Sequence, residues 1–309
     1  MMHPRIRKLR TVAYFGRVWA SGLALQLGLR PMRDRMLRPR ITGPVPQFNE
    51  QEVLDYINRT GGDPDLYRDS EGYLLVPHTY FATWGLAELA KALLAARLPL
   101  NFTRVVHATS RVRVHRMQRV TEPARFSATV ETVVRTGKRV RVEQQLATRT
   151  ADAQPLAEHN LAMVLPEKRI GRRRGHKSEI VPIDTNLVTS IRLPPNEGWR
   201  YARLSGDFNP VHWIGPFAKL VGFDRPVAHG FDLMARTCHA AVAHLAQGDA
   251  RKLKMIDIAF RKPVVLPAEV HLYAATPEPM ASGNHRVRLW VGPEQEASAQ
   301  IMGHVEIET

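Results

Sequence analysis

Apolar and polar positions along this chain follow one plan that is carried out twice. In the first half an apolar run from Ala82 to Arg97, with Trp84, Leu86, Leu89, Ala90, Leu93 and Leu94, predicts a helix. It follows Val76-Pro77-His78-Thr79. Strand-like stretches come next, at 104–118, 124–135, 138–150 and 156–165. Val112 and Val114 alternate with Arg111, Arg113 and His115, the period of two expected of a half-buried strand. Thr136-Gly137-Lys138 predicts a hairpin turn. The second half repeats this order. A helix is expected from Phe231 to about Leu245, directly after Val227-Ala228-His229-Gly230. Strands follow at 253–261, 267–276, 284–293 and 297–308, with Ala281-Ser282-Gly283-Asn284 as the matching turn.

One helix followed by a meander of strands, done twice, predicts an α+β protein of two similar halves. Each half would wrap a curved antiparallel sheet around a central helix. A tyrosine, Tyr56 or Tyr201, opens a short polar, acid-bearing segment upstream of each helix. The expected organisation is an N-terminal arm (1–48), a first half (49–165), a linker (166–185) and a second half (186–309).

Composition narrows the class. The 309 residues are 44% apolar and 24% charged, which excludes a disordered chain, a collagen and a disulfide-stapled miniprotein. A lone cysteine, Cys238, has no partner in the chain, which suits a reducing, cytoplasmic setting and leaves no cysteine-based metal site. The formal charge is +15, and it is unevenly spread. Ten basic residues among the first fifty face only Asp34 and Glu50. A second cluster, Lys168, Arg169, Arg172, Arg173, Arg174 and Lys177, marks the linker. Neither cluster is interleaved with aromatics, and no zinc-finger or RNA-recognition signature occurs, so nucleic acid is not an expected partner. The arm's longest uncharged run, Val18 to Leu29, has 12 residues against the roughly 20 needed to span a bilayer. Residues 1–45 therefore suit either peripheral contact with an anionic membrane surface or docking on the main body.

The segment 201–230 carries the candidate chemistry. Gly206 and Asn209-Pro210 force a turn that can aim Asp207 and His212 into one space. A carboxylate beside an imidazole can hold a water and exchange protons with it near neutral pH. Gly230 begins the following helix, where an unpaired N–H and the helix dipole favour a developing oxyanion. Blander roles stand beside these. Asp207 and His229 would each serve as ordinary turn or cap residues, and Asp232 as an acid favoured in a first helical turn. His239 and His244 share a helix with no carboxylate at metal spacing, so no metal site is expected.

The sequence Tyr201-x-x-x-Ser205-Gly206-Asp207-x-Asn209-Pro210-x-His212, with Ala218, Gly222-Phe223 and Ala228-His229-Gly230, resembles the hydratase motif of the MaoC-like, (R)-specific enoyl-CoA hydratases. Phe260-Arg261-Lys262-Pro263-Val264 and Leu266-Pro267 resemble that family's next strand. The resemblance implies a double hot-dog fold and reversible hydration of trans-2-enoyl-CoA to (R)-3-hydroxyacyl-CoA, without metal or redox cofactor. It implies an Asp207/His212 dyad, Asn209 shaping the loop, and the Gly230 N–H facing the thioester oxygen. His229 is a candidate substrate contact, and Arg261 and Lys262 are candidates for the coenzyme A phosphates. In the first half Arg68 stands five residues after Asp63 and Thr79 is matched to Gly230, so that copy lacks the dyad. Such a half would help house the acyl chain, with Trp84, Leu93 and Leu94 as lining or plain core. An acyl carrier protein is an alternative carrier of the substrate, a thioesterase using Asp232 and a non-catalytic binder are the rival functions, and monomer and homodimer are both open.

Overall fold

The computed structural model describes residues 39–96, 98, 105–136, 139–166 and 179–309, with Ala13, Gly16, Arg17 and Ala20 as isolated helical positions. The remainder of the arm, the tip of the Thr136-Gly137-Lys138 turn and the basic cluster 168–177 lie outside the described residues. Among those described, no helix is long and apolar enough to cross a membrane.

Strand β1 (Arg40–Pro44) leads into helix α1 (Glu50–Arg59). The Asn49 side chain caps α1 by accepting from the Gln51 N–H, and Glu50 and Glu52 complement the dipole. The first polar, acid-bearing segment, opened by Tyr56, begins in the last turn of this helix and runs on past it. The helix is amphipathic and buries Val53, Tyr56 and Ile57, a pattern too short to stand out in the sequence. After two 3₁₀ turns, Pro64–Tyr67 and Tyr80–Thr83, comes the expected apolar helix α2 (Gly85–Ala96). Strands β2 (Val106–Val114), β3 (Ala124–Thr136), β4 (Arg139–Thr150) and β5 (Pro155–Pro166) follow where the alternation placed them. Helix α2 packs on this sheet through Gly85, where a Cβ would collide with the Leu146 side chain of β4.

The second half opens with β6 (Asn186–Leu193), helix α3 (Glu197–Ser205) and short helix α4 (Gly215–Leu220). Helix α5 (Gly230–His244) is the counterpart of α2. Strands β7 (Leu253–Phe260), β8 (Ala268–Ala274), β9 (Glu278–Pro279), β10 (His285–Gly292) and β11 (Ile301–Ile307) complete the fold. Gly283, at φ +86°, makes the turn before β10.

The sheet runs β1-β3-β4-β5-β2-β7-β11-β10-β8-β6, with β9 beside β10 and every pairing antiparallel. The two halves therefore share one hydrogen-bonded edge, β2 with β7, and a single core contains buried side chains of both. That seam is symmetric. Thr109 faces Ala259 and Arg113 faces Met255, about a centre at Arg111 and Asp257, whose side chains bond at 2.8 Å. Exchanging the halves carries Val114 onto Phe260 and Arg116 onto Lys262. The loops obey the same exchange. The Val120 N–H donates to Leu74 and the Val76 N–H to Gln118, as Leu266 does to Pro226 and Ala228 to Val264. Counted on from these pairs, His78 rather than Thr79 stands at the place of Gly230, a one-residue correction to the alignment read from the sequence.

Leu146→Ala should remove the side chain on which α2 seats, leave a cavity where Gly85 cannot fill it, and cost about 2–5 kcal/mol. Urea unfolding of the wild type and the variant measures that loss.

Candidate active site

Helix α3 ends because Gly206 adopts the left-handed conformation, at φ +81°, and its N–H closes back on the Ala202 carbonyl. Side chains then shape the turn. The Asp207 N–H donates to Ser205 Oγ, the Asn209 N–H to Asp207 Oδ1, and the Val211 N–H to Asn209 Oδ1. Asn209 thus caps the 3₁₀ turn Pro210–His212, and its oxygen is engaged within the loop. Gly198 on α3 lies against this turn, and a Cβ there would overlap the His212 carbonyl.

His212 Nδ1 lies 2.8 Å from the Val227 carbonyl oxygen. A carbonyl only accepts, so Nδ1 carries the proton and Nε2 is left as the basic nitrogen. His229 Nε2 bonds the Asp207 carbonyl oxygen at 3.0 Å, so by the same rule His229 is protonated on Nε2. Its ring stacks on His212, with centroids 3.7 Å apart. One carboxylate oxygen of Asp207 and one ring nitrogen from each histidine lie within 4.8 Å of one another. The turn brings Asp207 and His212 together, as its residues suggested, and His229 joins them.

His107 also belongs to this cluster, reaching it from β2 in the first half. It acts electrostatically on Asp207 and His212, and its ring lies 5.0 Å from Phe231. No signal in the sequence pointed to it, because the β2–β7 pairing joins segments about 150 residues apart. Tyr201, from the motif, rests its ring 5.0 Å from His229, and its hydroxyl is buried with no partner among the described residues.

Burial pushes His212 below the ordinary imidazole value of 6.5, only partly offset by Asp207. Burial likewise drives His229 down to about 3 and lowers His107. Both neighbouring histidines are therefore neutral near pH 7. Burial works against the Asp207 anion, but His229, His212 and the Asn209 N–H outweigh it, and the carboxyl sits below its usual range. The side chain of Asp207 keeps a quarter of its surface open to solvent.

Gly230 heads α5 and is exposed. Its N–H has no acceptor among the described residues. A Cβ at this position would press on the Phe260 ring at 3.1 Å, and that ring would have to give by a few tenths of an ångström to admit one. Arg261 and Lys262 follow Phe260 on the exposed surface, and Arg261 lies 3.6 Å from Glu179. Asp232, one turn into α5, is fully buried. Its Oδ1 accepts from Arg236, which also reaches Glu197 at 2.9 Å and the Arg59 carbonyl at 3.1 Å. Burial raises the Asp232 carboxyl to about 7. This network fastens α3 and α1 to α5 and leaves Asp232 no exposure to a substrate. His239 bonds the Tyr67 and Thr60 hydroxyls and is structural, while Cys238 is core. Trp84 and Leu93 are buried in the core of the first half, and Leu94 is half-buried against it.

A carboxylate and two imidazoles at this spacing can hold a divalent cation or a water molecule. Beside them lies a helix N-terminus, so the place suits proton transfer to a substrate whose negative charge develops at the helix head.

Residues 170–291 match the family described as MaoC like domain. Enoyl-CoA hydratase 2, peroxisomal, of Arabidopsis thaliana is 38% identical over 82 residues, 26% of each chain. 3-hydroxyacyl-thioester dehydratase X of Mycobacterium tuberculosis is 39% identical over 87 residues, 28% of this chain and 29% of that one. The matches therefore span less than a third of these relatives' length. A solved Mycobacterium tuberculosis protein with a double hot-dog fold superposes with a TM-score of 0.57. It is 11% identical and covers 89% of this chain and 96% of its own, which establishes the shared fold.

Gly198→Ala should force α3 away from the His212 turn and cost about 1–3 kcal/mol, as overpacking does. Gly215→Ala meets open space and should melt close to the wild type. Thermal melts of the pair test the contact.

Proposed function

From the match of residues 170–291 to the MaoC like domain, we propose that the protein hydrates trans-2-enoyl-CoA reversibly to (R)-3-hydroxyacyl-CoA. One observation carries the proposal. An ionised carboxylate, Asp207, and an imidazole whose Nε2 is basic, His212, converge beside the exposed N–H at the head of α5. Both groups accept hydrogen bonds in the resting state. A water between them donates one hydrogen to each and turns a lone pair outward.

In this reading the thioester oxygen rests at the Gly230 N–H. The water oxygen bonds to C3 of the enoyl chain, the C2–C3 π pair moves toward the thioester, and the charge grows on its oxygen. Gly230 and the dipole of α5 stabilise that enolate. His212 Nε2 takes the water's proton and returns it to C2, so hydroxyl and hydrogen add to the same face. Asp207 orients and polarises the water. His229 positions both partners, holding the Asp207 backbone and flanking the His212 ring. No step uses a metal or a redox cofactor. Arg261 and Lys262, next to Phe260 on the rim, are suited to the coenzyme A phosphates. The half spanning 49–165 supports this chemistry, and the half spanning 186–309 performs it.

A carrier-borne thioester would undergo the same chemistry, and the basic surface would suit an acidic acyl carrier protein. Rates on matched coenzyme A and carrier thioesters separate the two substrates, with coenzyme A expected to be faster.

Asp207→Asn and His212→Ala should each lower kcat for crotonyl-CoA hydration by about 10²–10⁴-fold, the usual share of general acid–base catalysis. Near-normal turnover in both variants would refute the dyad. The pH profile gives an independent check. His212 must be neutral to accept the proton, so activity is present above its pKa and is lost as pH falls through it. Because burial holds that pKa below 6.5, the acid limb of kcat/KM should be centred below pH 6.5, with the plateau at higher pH. An acid limb centred at or above 6.5 would contradict it.

A further inference from the structure

A cleft lies between the first half and the segment 251–254 of the second, at the place to which the symmetric exchange of halves carries Lys262. It encloses about 570 Å³ and is rimmed by Arg116, Arg119, Arg251 and Lys254, with Asp69 and Glu122 among them. Arg116 is the counterpart of Lys262. Past Val114, Arg116 and Met117, which line both spaces, a narrow slot of about 40 Å³ continues inward between Val76, Phe81 and Trp84.

Two histidines line the slot. His78 is 2% exposed and His159 is 5% exposed, and the Nδ1 atom of each is buried without a partner among the described residues. His78 Nε2 is 2.7 Å from the Leu253 carbonyl, so it holds the ring proton and Nδ1 is a bare acceptor. Burial lowers His78 to about 4 and His159 to about 3, which keeps both rings neutral. A buried acceptor left unpaired costs free energy that a bound donor would recover.

The chemistry of the ligand follows from this order of groups. Cations at the mouth call for phosphates. A narrow apolar slot with neutral acceptors calls for a thin chain bearing N–H donors, and a fatty acid offers none. The rim cations are held by carboxylates that a phosphate must displace: Arg116 pairs with both oxygens of Glu122, Arg119 with Asp69 and Glu71, Arg251 with both oxygens of Asp249, and Lys254 with Glu308.

We propose that this cleft is a second binding site for coenzyme A or its short acyl thioesters, with the phosphates on the Arg116–Arg119–Arg251–Lys254 rim and the pantetheine amides reaching His78 and His159. Its ligand class rests in part on the hydration reading of the other half, because the same symmetry relates Arg116 on this rim to Lys262. The site binds without turnover. Asp63 is exposed and caps the Asp65 N–H and Arg68 pairs at the surface, so the counterpart of the Asp207–His212 turn holds no carboxylate–imidazole pair. His115, which lines the cleft, lies 3.3 Å from Glu158 on the partly exposed sheet surface. The helix head that Gly230 opens in the second half is closed by His78 and a 3₁₀ turn in the first.

Calorimetry with butyryl-CoA, a saturated thioester that cannot be hydrated, counts the sites on the full chain. The wild type is expected to bind two molecules. Arg116→Glu/Arg119→Glu and Arg251→Glu/Lys254→Glu should each bind one, with wild-type-like circular dichroism confirming their folds. Free pantetheine should bind more than tenfold more weakly than butyryl-CoA at this site, and butyrate should show no binding. A single site in the wild type, or two sites retained in both folded variants, overturns the proposal. Failure of the hydration reading would appear instead as absent turnover of crotonyl-CoA, a readout independent of this count.

Discussion

The hydrogen bond from His212 Nδ1 to the Val227 carbonyl fixes more of this molecule's chemistry than any other single contact. It spans fifteen residues, from the Pro210–His212 turn to the strand-like segment that feeds α5. By using a carbonyl as acceptor it selects one imidazole tautomer, which leaves Nε2 basic. By tying the turn to the residues before Gly230, it also sets the distance between the proton carrier and the helix head. Gly198 and the Arg236 network serve the same end, since each holds α3 or α5 where this bond can form. Geometry and protonation state thus come from one constraint.

Much of the architecture was legible. The two apolar helices and the eight strands after them lie within a few residues of where the alternation put them, because each buries one face. The elements upstream of each helix were not. Helices α1 and α3 are only ten and nine residues long and carry few apolar positions, so their period is weak. Strands β1 and β6 sit at the two ends of the sheet, where burial is slight and the pattern fades. The seam between β2 and β7 was beyond reach because nothing local encodes it. His107 was lost for that reason alone. That Asp207 and His212 meet could be read because Gly206, Asn209 and Pro210 mark a turn in the sequence itself.

The halves show what divergence does to a duplicated frame. The backbone pairs linking loop to strand are the same in both, down to matched carbonyls, so the frame persists without the chemistry. In the second half Gly230 leaves its helix head open. In the first, His78 stands at that place and turns its Nε2 to Leu253, while the Tyr56 hydroxyl bonds Thr79. The corresponding positions thus differ in what they leave open: an exposed glycine in one half, and a buried histidine held to Leu253 in the other.

The charge balance of the site completes the argument. Burial neutralises His229, His212 and His107, so the only formal charge in the cluster is the Asp207 carboxylate. It is kept ionised against burial by its electrostatic interaction with His229 and His212 and by the Asn209 N–H. A cationic histidine here would pair with Asp207 and hold a water poorly, since an ion pair leaves neither group free to accept. Keeping the imidazole neutral preserves two acceptors for one water. In the proposed reaction this leaves the carboxylate and the imidazole as separate acceptors for the two hydrogens of the water.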